Sequence, residues 1–165
     1  MREPDADAPG RSGTVPSGSA GRQRSPSSLA FALPWPPLVD AERGIGLRPW
    51  GAADADAAAL AAAWADPEVA RRNQVPGRHD EAAAAAWIAG EAQRRSRGLA
   101  VDLVVFESGR PDLVVGEVGL VMVDRLRRWG EVGYWTVASA RGHGLATAAV
   151  ALFSRWALAE LSVAR

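Results

Sequence analysis

The sequence contains no cysteine and no lysine, and both absences restrict its chemistry. Without cysteine the chain forms no disulfide, no thiolate metal site and no thiol nucleophile, which fits a reducing cytoplasm. All 19 basic residues are arginine, so a lysine nucleophile, a Schiff base and a P-loop lysine are excluded. No apolar run approaches the ~20 residues of a membrane-spanning helix, and the first residues lack the apolar stretch of a signal peptide. We therefore expect a cytoplasmic protein.

An excess of one charge sign is also missing. Basic and acidic side chains number 19 each, so the formal net charge is +0 at pH 7. This balance gives no bulk attraction to nucleic acid or to an anionic membrane. Histidine occurs only as His79 and His143, which lie too far apart in the sequence to indicate a metal site. The sequence therefore predicts no nucleic-acid partner, no membrane partner and no bound metal.

The residues that are present divide the chain in two. Residues 1 to 43 hold seven of the 11 prolines, mixed with glycine, serine and arginine. Such a composition buries too little apolar surface to offset the entropy of ordering, so we predict a disordered tail there and one folded domain at 44 to 165. An alternative stays open, in which Phe31, Trp35 and the prolines dock on a partner or fold back on the domain.

The hydrophobic patterns of the folded part predict both strands and helices. Strand patterns occupy 45 to 50, 100 to 107, 113 to 123 and 129 to 137. Helical patterns occupy 54 to 65, 80 to 97 and 145 to 161. Asp54 is an N-cap candidate for the first, and Asp80 with Glu81 opens the second. This order, β-α-α-β-β-β-α, indicates an α+β fold with helices packed on the faces of a sheet.

A glycine turn links the last predicted strand to the last predicted helix. It reads Ser-Ala-Arg-Gly-His-Gly-Leu-Ala-Thr over residues 139 to 147. Gly142 and Gly144 remove side chains where the chain turns, so a ligand can approach the backbone closely. The first turn of the helix adds unpaired N–H groups and the positive end of the helix dipole. A strand, a glycine turn and a helix start together predict an anion site, most naturally for a phosphate or pyrophosphate.

This turn and its surroundings resemble the GNAT superfamily of N-acetyltransferases. The superfamily signature, Gln/Arg-x-x-Gly-x-Gly/Ala, is matched in full at residues 141 to 146. Three further stretches are similar to the RimJ/RimL-like branch, which acetylates the N-termini of ribosomal proteins: Leu-Arg-Pro-Trp at 47 to 50, Asp-Pro-Glu-Val at 66 to 69 and Gly-Glu-Val-Gly-Tyr-Trp at 130 to 135. The resemblance covers roughly 44 to 165 and implies a mixed, mostly antiparallel sheet with flanking helices.

The resemblance also implies acetyl-CoA as cosubstrate. The pyrophosphate of coenzyme A would lie on the backbone of the signature, and the pantetheine arm would pair with the backbone of the preceding strand. The cofactor-binding residues implied in this way are Thr136, Val137, Arg141, Gly142, His143, Gly144, Leu145, Ala146 and Thr147. A neutral primary amine, on a protein N-terminus or a small molecule, would attack the acetyl thioester directly.

Two glutamates are candidates for the base that accepts the amine proton. Glu131 precedes the turn on a predicted strand, where it shares a face with Gly133 and Trp135. A partly desolvated carboxylate in that position has a raised pKa, so we predict Glu131 as the catalytic base. The alternative reading of Glu131 is a polar residue near a strand start. Glu117 is the second candidate, and His143 is expected to be solvated.

The superfamily fold continues beyond its signature helix with a further strand, a helix and two strands. Because the sequence stops at Arg165, the resemblance implies a truncated domain that lacks its C-terminal strands. Two functions stay open: acetyl transfer to an amine, or an inactive remnant that at most binds coenzyme A or serves as an interaction surface. An unpaired strand edge would favour pairing with another chain, for example as a homodimer. A dinucleotide-dependent oxidoreductase is set aside because Thr147 occupies the position of its third signature glycine.

Overall fold

The architecture is that of a computed structural model, which describes residues 30–51 and 54–164. The described strands form an antiparallel sheet in the order β1-β2-β3-β4-β5. They are Leu38–Asp40 (β1), Ile45–Pro49 (β2), Ala100–Glu107 (β3), Gly116–Asp124 (β4) and Trp129–Thr136 (β5). The α+β fold with an antiparallel sheet is thereby confirmed. β3 and β5 agree with the predicted strands to within one residue, whereas β4 begins at Gly116 rather than at 113.

Helices flank this sheet on both faces. They are Asp54–Ala65 (α1), Pro67–Arg72 (α2), Glu81–Ala89 (α3), Glu91–Ser96 (α4) and Leu145–Glu160 (α5). α5 follows the glycine turn as predicted, and α1 begins at Asp54, the predicted cap position. Within the described ranges, no helix combines the length and the apolar character needed to cross a membrane.

Residues 30 to 43, which we predicted as part of a disordered tail, are ordered. Phe31 is 7% exposed and belongs to the main hydrophobic core, and its N–H donates to the carbonyl of Arg95 at 2.9 Å. β1 then pairs with β2 along its whole length. The predicted boundary at residue 43 is therefore wrong for this stretch, because Phe31 anchors it against the domain. Trp35 is 86% exposed, and residues 1–29 lie outside the described residues.

The helix predicted at 80 to 97 consists of two helices that meet at Gly90. Asp80 caps α3, its Oδ1 accepting the N–H of Ala83 at 2.8 Å. Gly90 ends α3 and serves as the N-cap position of α4. The break brings Glu91 against β3, where its carboxylate accepts the N–H of Asp102 at 3.1 Å. The interruption thus places a buried acid next to the sheet.

The two faces of the sheet are covered by different helices. α5 packs against one face, where Phe153, Leu47 and Leu103 are fully buried. α1 and α3 cover the other face, where Leu60 packs in a second cluster with Val104. Because successive residues of a strand point to opposite faces, β3 contributes to both cores, which explains its nearly continuous apolar sequence.

Residues 161 to 164 do not form the start of the strand that the sequence suggested. Leu161 and Val163 are buried in the main core, and Ser162 between them has a left-handed φ of 55°. Ala164 donates its N–H to the carbonyl of Arg128 at 2.9 Å. This segment therefore covers the core as an irregular extension of α5.

Candidate functional site

The turn between β5 and α5 has the backbone of an anion-binding loop. A short 3-10 helix, Ala138–Ala140, leads into it, and α5 begins at Leu145. Gly142 and Gly144 have φ angles of 79° and 76°, which glycine adopts without strain. No heavy atom lies within 4 Å of a Cβ built on either glycine, so both positions are open to a ligand. His143 between them is exposed, as expected.

The start of α5 offers backbone N–H groups beside this loop. The first backbone bond of the helix runs from the N–H of Ala148 to the carbonyl of Gly144 at 3.0 Å, and no described side chain caps the helix. The N–H groups of Leu145, Ala146 and Thr147 therefore have no helical partner. They lie at the positive end of a 16-residue helix. This donor set fits a phosphate group.

Arg141, the first residue of the signature, has protein partners for both its side chain and its backbone N–H. Its Nη2 lies 2.6 Å from Oδ2 of Asp66, and its Nε donates to the carbonyl of Thr136 at 3.2 Å. Its backbone N–H donates to the carbonyl of Ala138 at 3.3 Å. Among the described contacts, the N–H groups of the turn without a partner therefore begin at Gly142.

β5 lies at the edge of the sheet and leads into the turn. Val137 donates its N–H to the carbonyl of Val115 at 3.0 Å. Because alternate residues of an antiparallel strand face away from the partner strand, the backbone of Thr136 is directed to the open edge. Of the two residues predicted to pair with a pantetheine arm, Thr136 has its N–H directed to that edge, whereas the N–H of Val137 is already used within the sheet.

A cavity of about 440 Å³ lies over the sheet face that α1 and α3 also cover. Its floor consists of alternate residues of three strands: Ala100, Asp102, Glu117, Gly119, Val121, Glu131, Gly133 and Trp135. Gly119 pairs directly with Gly133, so the centre of the floor carries no side chain. The walls include Trp64, Trp87, Arg94 and the segment 72–76. This arrangement makes a trough with carboxylates along it.

Glu117 is held in this floor by two indole groups. Nε1 of Trp50 donates to Oε2 of Glu117 at 2.9 Å, and Nε1 of Trp135 donates to Oε1 at 3.2 Å. Burial, together with the nearby charge of Asp102, raises the pKa of Glu117 to about 8 against the opposing effect of the two indole donors. A carboxylate with such a pKa is a stronger base than an ordinary glutamate. The second sequence candidate therefore has the environment that we had expected of Glu131.

Asp102 provides a second perturbed carboxylate on the same face. It pairs with Gly119 across β3 and β4 and is 9% exposed. Burial raises the pKa of Asp102 to about 7, although the positive charge of Arg94 lowers it. The guanidinium of Arg94 lies 4.1 Å from the centre of the Trp87 ring and donates to the Trp87 carbonyl at 3.0 Å. Trp87 thus fixes a cation beside the two carboxylates.

Glu131 lies on the same floor but in a different setting. It pairs with Val121 on β4 and is exposed. Its face is the one predicted, since Gly133 and Trp135 line the cavity with it. Trp135 pairs with Glu117 across the strands, and Glu131 lies four residues before Trp135 on β5. Glu131 and Trp135 are therefore about 13 Å apart along the strand. The two glutamates therefore occupy opposite ends of the trough, and the role of Glu131 stays a prediction.

Several residues of this site were not identified from the sequence. Asp102 interrupts an apolar strand, on the same face as Ala100 and Val104. A polar residue within such a strand is the sequence signal that could have indicated a functional side chain here. Trp50 belongs to the stretch at 47 to 50, which indicated the family resemblance but no role for this side chain. Its contact with Glu117 joins residues 67 positions apart, which no local pattern reveals.

The chain matches a known protein family, and solved structures share its fold. Residues 45–165 match the family described as the acetyltransferase (GNAT) domain. Mycobacterium smegmatis RimJ, solved in complex with CoA-disulfide, is 25% identical with a TM-score of 0.62, the match covering 78% of this chain and 65% of that one. A search of curated proteins found no match.

Two further solved structures share the fold at lower identity. The microcin C7 self-immunity acetyltransferase MccE, in complex with acetyl-CoA and AMP, is 17% identical with a TM-score of 0.60, covering 79% of this chain and 68% of that one. The ribosomal-protein-S5-alanine acetyltransferase of Vibrio fischeri is 18% identical with a TM-score of 0.56, covering 70% and 64%. The chain thus spans about two thirds of the length of each of these proteins. With the family match over 45–165, this chain belongs to the GNAT acetyltransferase family.

Proposed function

We propose that this chain is an N-acetyltransferase that transfers the acetyl group of acetyl-CoA to a primary amine. The observation that carries the proposal is the position of Glu117, a carboxylate whose pKa is raised to about 8, in a cavity on the strands that lead into an open glycine turn. A donor site for phosphates and a base for an amine are thus both connected to β5, since Trp135 on that strand donates to Glu117 and the turn follows the end of the strand. Family membership supports this reading.

In the proposed complex, the turn holds the pyrophosphate of acetyl-CoA. The N–H groups from Gly142 to Thr147 supply the donors, and the two glycines leave room for the phosphates. The open edge of β5 at Thr136 accepts the pantetheine arm. The neighbouring structures of RimJ and MccE were solved with CoA-disulfide and with acetyl-CoA, which supports this use of the fold.

In the proposed reaction, Glu117 takes a proton from the acceptor ammonium group, and the resulting neutral amine attacks the acetyl carbonyl. The new C–N bond forms as the C–S bond breaks, and the departing thiolate of coenzyme A takes the remaining proton of the attacking nitrogen, so that coenzyme A leaves as the thiol. The indoles of Trp50 and Trp135 hold Glu117 in one orientation. Glu131 is proposed as the alternative base, at the other end of the trough, with its proton relayed through water.

The acceptor is a primary amine on a protein N-terminus or on a small molecule. Two of the solved neighbours support an N-terminal acceptor, since one is named for alanine acetylation of ribosomal protein S5 and another modifies the N-terminal serine of L7/L12. In their ionised forms, the carboxylates of the trough, Asp102, Glu117 and Glu131, attract the positively charged form of either kind of amine. A homodimer and a cytoplasmic location stay predictions.

Calorimetric titration with acetyl-CoA tests the proposal. We expect the unchanged chain to bind acetyl-CoA, and Gly144→Glu to lose binding because a carboxylate then faces the phosphates. Gly109→Glu is the matched control, since Gly109 also has a left-handed φ, of 86°, and open space around it, in a turn outside the site. Equal binding by the unchanged chain and Gly144→Glu would refute the phosphate site.

Release of free thiol from acetyl-CoA, measured with a panel of amines and N-terminal peptides, tests the transfer step. We expect release to depend on an added amine. Binding without amine-dependent release from any acceptor in the panel would favour the alternative function, a domain that binds coenzyme A without acetylating an amine.

A further inference from the structure

An ion pair joins the glycine turn to the segment that precedes the cavity wall. Nη2 of Arg141 lies 2.6 Å from Oδ2 of Asp66, and the two residues are 75 positions apart in the sequence. The side chains are 35% and 23% exposed, so water screens the pair only in part. A charged hydrogen bond of this length is among the stronger polar contacts in a protein.

Asp66 connects this pair to the wall of the cavity. Its other carboxylate oxygen, Oδ1, accepts the N–H of Glu68 at 2.8 Å and so caps α2. α2 ends at Arg72, which lines the cavity together with residues 73–76 after it. Any displacement of Asp66 therefore moves the start of the element that carries the wall.

Arg141 connects the pair to the turn and to β5. It is the residue immediately before Gly142, and its Nε donates to the carbonyl of Thr136 at the end of β5. The same guanidinium thus contacts the edge strand and the cap of α2. A Cβ built on Gly142 or Gly144 would meet open space, so no side chain packs against the turn at these two positions.

We propose that Arg141 is a positioning residue whose pairing with Asp66 couples occupancy of the glycine turn to the order of α2 and of the wall at 72–76. This inference rests on the proposed function, since it takes coenzyme A as the ligand of the turn. A ligand that fixes the turn restricts Arg141, and through Asp66 it stabilises the capped form of α2. By thermodynamic linkage, an ordered wall favours binding in the turn to the same degree.

The chain provides a matched pair of variants for this test. Asp66→Asn keeps an oxygen that caps α2, because asparagine and aspartate cap helices equally well, but it removes the charge that faces Arg141. Asp80→Asn is the control, since Asp80 also caps a helix through Oδ1 and pairs with an arginine, Arg78, through Oδ2 at 2.7 Å. The two substitutions make the same chemical change, and only the first one touches the turn.

The first measurement is the affinity for coenzyme A by calorimetric titration. We expect Asp66→Asn and Arg141→Gln each to weaken binding about fivefold, and the double variant to lose no more than either single variant. Asp80→Asn should bind as the unchanged chain does. Additive losses in the double variant, or a loss for Arg141→Gln with none for Asp66→Asn, would mean that Arg141 acts on the ligand without Asp66, and would overturn the proposal.

The second measurement is amide hydrogen exchange with and without coenzyme A. The N–H groups of Ala70 and Asn73 bond to Asp66 and Val69 at 2.9 Å, so their exchange reports on α2 and the wall. We expect coenzyme A to slow their exchange in the unchanged chain and in Asp80→Asn, but not in Asp66→Asn at saturating ligand. Equal slowing in Asp66→Asn would overturn the coupling while leaving the proposed function intact. No binding by the unchanged chain would overturn both.

Discussion

Asp102 and Gly119 meet across β3 and β4 with no room for another carbon atom between them. A Cβ built on Gly119 would lie 2.1 Å from Oδ1 of Asp102 and 3.0 Å from the carbonyl oxygen of Val101. The missing side chain at Gly119 is therefore what lets the Asp102 carboxylate lie in the cavity floor beside Glu117.

Gly119→Ala should destabilise the fold, because the new methyl group displaces a buried carboxylate. We expect the free energy of unfolding, measured in urea, to fall by about 1–3 kcal/mol. Gly133→Ala is the control, since Gly133 pairs with Gly119 across the strands but has no heavy atom within 4 Å of its Cβ position. Comparable losses in the two variants would contradict this explanation.

Glu117→Gln should remove the proposed base while keeping a side chain of the same shape. We expect acetyl transfer to fall by about 10²–10⁴-fold with little change in acetyl-CoA affinity. Steady-state thiol release, together with titration of acetyl-CoA, measures the two effects separately. Glu131→Gln is the comparison, and a large loss there with near-normal activity in Glu117→Gln would assign the base to Glu131.

The free energy of unfolding should decrease as the pH rises towards 8. Burial raises the pKa of Glu117 from 4.5 to about 8 and that of Asp102 from 3.8 to about 7. Over that range the folded chain holds protons that the unfolded chain has released, so a rise in pH favours unfolding. Urea titrations between about pH 5 and pH 9 measure this slope. Glu117→Gln should reduce it, and an unchanged slope would argue against the raised pKa.

Trp50→Phe should make Glu117 harder to ionise. The substitution keeps an aromatic ring but removes the N–H that donates to Oε2 of Glu117 at 2.9 Å. A hydrogen bond to a charged group is worth enough to raise the pKa by about one unit when it is lost. We expect the alkaline rise of acetyl transfer to move to higher pH by that amount. Trp156→Phe, on α5 against Phe153, should leave the pH profile in place.

Phe31→Ala should show that the segment before β1 belongs to the domain. Phe31 is 7% exposed in the main core, so its truncation should lower the free energy of unfolding by about 3 kcal/mol or more. Trp35→Ala removes a larger side chain that is 86% exposed, and it should change stability by less than about 0.5 kcal/mol. Thermal or urea unfolding compares the two variants. If Phe31→Ala is as stable as the unchanged chain, the result would favour a disordered tail up to residue 43.

The elements that the sequence predicted well are those whose burial pattern is local. β3 and β5 were placed to within one residue, and α5 follows from its apolar stripe and the glycines before it. β1 was missed because a strand of three residues has too little alternation to be recognised. It is identified as a strand by its pairing with β2, which the sequence pattern does not show. The interruption at Gly90 was missed because a glycine within a helical pattern is compatible with either outcome.

The choice between Glu117 and Glu131 shows what the candidate site required beyond the sequence. Both glutamates sit on strands and on the same face of the sheet, so alternation cannot separate them. Their environments differ because the indole of Trp50, which follows β2, donates a hydrogen bond to Glu117, whereas Glu131 is exposed. That difference arises from packing between distant parts of the chain. The glycine turn, by contrast, is contiguous, and its left-handed residues are the two that its sequence indicated.

The wall at 72–76 has a consequence for how acceptor preference can change. Beyond Arg72 the chain is neither helix nor strand until α3 begins, whereas the carboxylates of the floor are fixed by strand pairing. Exchange of residues 73–76 for other sequences would therefore reshape the entrance for the amine and leave the reacting groups in register. Under the proposed function, the segment 73–76 would select the acceptor while the strands hold the base, so a change in one would need no redesign of the other.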